Sequence, residues 1–78
     1  MITYEEAKEI AVEIAGQIGA TLDVAKEWPQ AYVFDDSKHQ YAGWIPMVIQ
    51  KSDGGKYGYW HYMNEHNLKS DDLKDIPF

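Results

Sequence analysis

The stretch Trp44-Ile45-Pro46-Met47-Val48-Ile49-Gln50-Lys51-Ser52-Asp53-Gly54-Gly55-Lys56-Tyr57-Gly58-Tyr59-Trp60-His61 decides the fold. Its first part, Trp44 to Lys51, reads as a strand. The apolar run Met47-Val48-Ile49 lacks alternation, as expected of a central strand covered on both faces. Ser52-Asp53-Gly54-Gly55 then reads as a hairpin turn, because aspartate and glycine tolerate the positive φ such turns require. Lys56 to His61 returns as the partner strand. A two-residue period would put Tyr57 and Tyr59 on one face of it, and Gly58 and Trp60 on the other.

Working toward the N-terminus, Asp35 to Gln40 is a polar connection, and Ala31-Tyr32-Val33-Phe34 is rich in strand formers. Trp28-Pro29 punctuates the chain, since proline cannot donate to a sheet ladder. Ala20 to Glu27 alternates loosely and suggests a first strand, although Val24-Ala25-Lys26-Glu27 is also compatible with helix. The opening segment is more sharply marked. Thr3-Tyr4-Glu5-Glu6 has the capping-box form. Ala7, Ile10, Ala11, Ile14, Ala15 and Ile18 recur at helical spacing, which predicts an amphipathic helix over residues 3–18. Gly19 is placed to cap it. Gly16 weakens it by up to about 1 kcal/mol relative to alanine, and would permit a close neighbour.

Beyond the hairpin the signals are weaker. Tyr62 to Asn67 reads either as a helical turn or as an extended loop. Ser70 to Lys74 has the look of a short turn with Ser70 as N-cap. Ile76-Pro77-Phe78 is apolar enough to fold back over an edge of the core. One helix followed by about four antiparallel strands predicts a single α+β domain over residues 1–78, the helix packed on one face of a curled sheet. The other sheet face is then open, with Trp44 and Trp60 expected in the core.

Composition narrows the function. The chain holds 13 acidic residues against 7 lysines, no arginine and no cysteine, for a net charge of −6. Without cysteine there is neither a disulfide nor a thiolate metal site. Nucleic-acid binding draws on clustered cations and is not expected here. Residues 1–40 carry eight acids and three lysines, so the acidity lies mostly in that half. Such a surface is either simply solubilising or an electrostatic docking face for a basic partner. No apolar run approaches the roughly 20 residues of a membrane span, and the N-terminus lacks the form of a signal peptide, so the expected location is cytoplasmic.

A search for chemistry finds no catalytic constellation and no cofactor motif. His61 and His66 are five apart with Glu65 between them, which is not the spacing of a paired helical metal site. Ser37, Ser52 and Ser70 lie in turn contexts without a nucleophile elbow. Asp35-Asp36 and Asp71-Asp72 are neighbouring carboxylates in polar connections. The expectation is therefore a binding protein and not an enzyme.

Met1-Ile2-Thr3-Tyr4 and Pro46-Met47-Val48-Ile49-Gln50-Lys51, with the strand Ala31-Tyr32-Val33-Phe34 between them, resemble the bacterial immunity protein 35 (YrhB-like) family. The turn differs from the family pattern in Gln50 and in the doubled Gly54-Gly55. The resemblance implies an antidote that blocks a cognate toxin, a peptidase-like one in several such systems, inside the producing cell. Contacts are then expected from Glu9, Glu13, Asp35 and Asp36 by charge, and from Tyr41 and Tyr59 as aromatic anchors. The other expectation is a peptide- or ligand-binding module using the open sheet face, with a homodimer as a further arrangement.

Overall fold

The computed structural model describes residues 1–38 and 44–78. Helix α1 runs Tyr4–Gln17, and both reciprocal bonds of the predicted capping box are present. The Glu6 amide donates to Thr3 Oγ1 at 3.2 Å and the Thr3 amide to Glu6 Oε1 at 2.9 Å. At the other end Gly19 takes φ +77°, while the Ala20 and Gly19 amides return to the carbonyls of Ala15 and Gly16. That is a Schellman stop, and it carries the chain away from the helix axis.

Strands β1 (Val24–Trp28), β2 (Ala31–Asp35), β3 (Met47–Gln50), β4 (Lys56–Gly58) and β5 (Lys74–Ile76) form an antiparallel sheet in the order β4-β3-β2-β1-β5. Its two edges do not meet, so the sheet is open at both ends. The class is α+β, as expected, with one strand more than the sequence indicated. That fifth strand is the tail: Ala25 lies opposite Ile76, and the Phe78 and Phe34 rings meet in a T-shaped contact. Pro29-Gln30 makes the β1–β2 turn, with Trp28 opposite Ala31. Gly54, at φ +72°, makes the β3–β4 turn. A Cβ there would meet Ile10 Cδ1 at 3.3 Å, so the turn packs directly on α1.

Several boundaries differ from the sequence reading. The first strand begins at Val24, not at Ala20, whose amide closes the helix cap. Trp44 and Ile45 precede β3, since Pro46 has no amide to offer the ladder. The largest correction concerns residues 59–61, while the helical alternative for the stretch from Tyr62 is the one the structure adopts through Glu65. The expected strand ends at Gly58, and Tyr59–Glu65 forms helix α2. The Tyr59 amide bonds the Pro46 carbonyl at 3.1 Å. Tyr59, Tyr62 and Met63 then fall at i, i+3 and i+4, a helical face that packs with Trp28, Val33 and Val48. Burial of those rings overrides the strand preference of a Tyr-Trp pair.

Helix α2 therefore covers the sheet face that the sequence left open. One side holds Ala25, Phe34, Met47 and Ile49 beneath the alanines of α1, and the other holds Trp28, Ala31, Val33 and Val48 beneath Tyr59 and Tyr62. Met47, Val48 and Ile49 are all buried, as a central strand requires. Trp44 is half-buried, whereas Trp60, expected in the core, is 58% exposed on the outer side of α2. Ser70–Asp72 is a 3-10 turn with Lys69, not Ser70, at its N-cap. Trp28 Nε1 fixes that turn by donating to the Lys69 carbonyl at 3.0 Å.

Candidate functional site

The outer face of α1 is the main charged feature. The 3.6-residue period that buries Ala7, Ala11 and Ala15 turns Glu5, Glu6, Glu9, Val12 and Glu13 to solvent. Ile2, Glu6, Glu9, Ile10 and Glu13 line a shallow groove of about 440 Å³. Glu5, Glu9 and Glu13 follow one another at i, i+4, where like charges cost a few tenths of a kcal/mol per pair. Among the described residues none of them has an ion-pair partner. Glu5, in the first turn, is favoured by the helix dipole, so the repulsion bears mainly on Glu9 and Glu13 farther along the helix.

A second groove, of about 400 Å³, opens where α1 begins. Tyr4, Tyr32 and Phe78 line it, with the carboxylates of Glu5 and Glu27. These rings are held in place. Tyr4 stands edge-on to Tyr32 at 5.3 Å and stacks on Phe34 at 5.9 Å, while its hydroxyl donates to the Pro77 carbonyl at 3.0 Å. Lys8 Nζ donates to the Phe78 carbonyl at 2.5 Å and lies 4.2 Å from that ring's centre. Lys51 Nζ is 2.5 Å from Glu27 Oε2 and 4.7 Å from the Tyr32 ring centre. Burial raises the Tyr4 phenol above its ordinary pKa, with the negative charge of Glu5 and then Tyr32 adding to the effect.

The residues singled out from the sequence separate into two groups. Glu9 and Glu13 come together on the α1 groove. Asp35 is half-buried and accepts from the Trp44 indole at 2.6 Å and from the Asp36 amide at 2.8 Å. Asp36 is only 4% exposed and accepts from the Lys38 amide at 2.9 Å, so its carboxylate shapes the loop and presents little to a partner. Tyr59 corrects the expectation of an exposed anchor: it is 7% exposed and stacks on Trp28 at 5.4 Å. Tyr41 lies outside the described residues. Sequence reasoning passed over Tyr4, Tyr32 and Phe78 as a group, because three distant segments bring them together. The one available signal was the apolar Ile76-Pro77-Phe78 tail, read as an edge cover.

The two described histidines do not converge. His61 Nε2 lies 2.7 Å from Glu65 Oε2 on exposed α2, while His66 packs against the Tyr62 ring at 4.2 Å. Among the described residues no group of three or more His, Asp or Glu side chains is arranged to hold a metal ion. Asp23 accepts from both the amide and hydroxyl of Ser37, and these bonds lower its pKa. That pair ties the α1–β1 connection to the loop after β2. Among the described residues no helix is long and apolar enough to cross a membrane. No protein-family model, curated protein or solved structure matches the chain.

Proposed function

We propose that this chain is an immunity-type protein that docks on a cognate toxin and blocks it stoichiometrically, with the outer face of α1 as the contact. The row of Glu5, Glu9 and Glu13, without ion-pair partners among the described residues and with Glu9 and Glu13 lining a groove beside the apolar Ile2 and Ile10, carries the reading. A helix that tolerates repelling carboxylates along its exposed side is suited to meet a basic surface. Such a field speeds encounter, and the apolar floor slows release. The likeness of Met1 to Tyr4 and Pro46 to Lys51 to the immunity protein 35 family supports the same assignment.

The test is co-expression with the toxin encoded beside the chain's own gene. Growth should be restored, and purified chain should bind that toxin one to one. Reversing two charges, Glu9→Lys with Glu13→Lys, should slow association about tenfold at low salt and much less at high salt. Failure of rescue by the unaltered chain removes the immunity reading. Rescue and association rates untouched by the double reversal would place the interface elsewhere.

A further inference from the structure

The β3–β4 turn carries a reactive pair. In Asp53-Gly54 the glycine has no side chain to keep its amide nitrogen from the preceding carboxyl carbon, and Asp53 is exposed to solvent. Attack by that nitrogen forms an N–Cγ bond, breaks a Cγ–O bond and releases water, leaving a five-membered succinimide. Water then adds to one of the ring's two carbonyl carbons and breaks that carbon's bond to nitrogen. Opening at the main-chain carbonyl leaves isoaspartate, with the chain routed through the side chain and one methylene longer.

The folded turn holds both reacting groups. The Gly54 amide donates to the Gln50 carbonyl at 2.8 Å, which engages its proton and fixes its direction. Asp53 Oδ1 accepts from the Gly55 amide at 2.9 Å, the bond a turn aspartate makes two residues on, and from Gln50 Nε2 at 3.2 Å. Gln50 is itself oriented from α2, since the Tyr62 hydroxyl donates to its Oε1 at 3.0 Å and leaves Nε2 for Asp53. We propose that Asp53 is a site of spontaneous isomerisation, and that the Gln50 side chain restrains it in the folded protein by holding the Asp53 carboxylate. The consequence falls on α1. A Cβ at Gly54 would lie 3.3 Å from Ile10 Cδ1 and 3.7 Å from Ile2, so the turn sits close against both side chains. A lengthened turn loses that seat, on two residues that line the groove beside Glu9 and Glu13. The reactivity of Asp53 is independent of the immunity reading.

The full chain is incubated at neutral pH, and isoaspartate at residue 53 is followed by peptide mapping with electron-transfer fragmentation, which separates the two isomers. It should accumulate more slowly in folded chain than in chain unfolded in urea. Gln50→Ala should speed the reaction of the folded chain about two- to tenfold, the range of one hydrogen bond. Gln50→Leu makes the same comparison if the alanine variant does not fold. Thr3→Ala removes a helix-capping bond without touching the turn, so it should leave the rate unchanged and separates local restraint from general loss of stability. In aged chain the Ile10 methyl resonances should move. Absence of isoaspartate even in unfolded chain, no acceleration in the Gln50 variants, or equal acceleration by Thr3→Ala would overturn the proposal. Unmoved Ile10 resonances in fully isomerised chain would overturn its consequence for α1.

Discussion

The two helices pack on opposite faces of one sheet and are held there by opposite means. Helix α1 spans 14 residues, carries its own caps at both ends and buries the small side chains of Ala7, Ala11 and Ala15. Helix α2 spans seven residues, has no side-chain cap and buries Tyr59 and Tyr62. An isolated helix of that length is unstable in water, so α2 depends on its rings. Alanines bring the backbone of α1 close to the sheet and leave its outer face free to carry charge. The lesson is that local signals specify α1, whereas α2 exists because Trp28 and its neighbours give Tyr59 and Tyr62 somewhere to go.

The strongest way to break that comparison is Trp28→Ala. Trp28 is fully buried, stacks on Tyr59 at 5.4 Å and on Tyr62 at 6.1 Å, and ties down the Lys69 carbonyl. Removing a buried ring of this size costs about 3–5 kcal/mol, a large share of the 5–15 kcal/mol typical of a whole domain. Urea unfolding should show the loss, and amide exchange should show α2 unprotected while α1 keeps part of its protection. Equal loss in both helices would mean that α2 is not specially dependent on the ring stack.

Legibility followed the same division. The α1 signals lie within 18 consecutive residues: a capping box, an apolar stripe and a stop glycine, all present where the sequence placed them. The β3–β4 hairpin was equally local. Helix α2 was read only in part, as a helical turn or loop from Tyr62, and its start at Tyr59 was missed because seven residues give too few turns to outweigh strand-forming tyrosine and tryptophan. On the candidate surfaces, Glu9 and Glu13 were legible because they lie off the apolar stripe. The burial of Tyr59 and Asp36 depends on contacts far along the chain or on loop bonds, which no spacing announces.

The next effect tests the local half of the comparison. Thr3→Ala removes the hydroxyl that accepts from the Glu6 amide and should cost about 1 kcal/mol. Chemical denaturation should report that loss, with α2 protected as long as the molecule is folded. A negligible change would show that α1, like α2, draws its stability from packing alone. Gly16→Ala should act in the opposite direction by about 0.5–1 kcal/mol. The sequence left open a close neighbour at Gly16, but a Cβ there meets nothing within 4 Å, and the position is exposed. A thermal midpoint that falls instead of rising would contradict that geometry.

The smallest effect at neutral pH concerns the anchors of α2 themselves. Burial raises the phenol pKa of Tyr59, and burial followed by the charges of Tyr57 and Asp53 raises that of Tyr62. Each phenol is uncharged in its protonated form, and folding favours that form. Their contribution is therefore fully present below the unfolded value near 10 and is lost as pH rises through the higher folded values. Nothing should change at pH 7. Above pH 10 the urea midpoint should decline, and amide exchange, corrected for its intrinsic pH dependence, should show α2 opening ahead of the centre of α1. Tyr62→Phe should flatten part of that alkaline decline, since a phenyl ring cannot ionise, while losing the hydroxyl bond to Gln50 Oε1 at 3.0 Å. Tyr4 is raised as well, at the other helix, so α1 should also loosen at its first turn. Its Schellman stop contains no ionisable group, which is why the far end of α1 should hold longest and mark the difference between a helix that caps itself and one that is pinned by its rings.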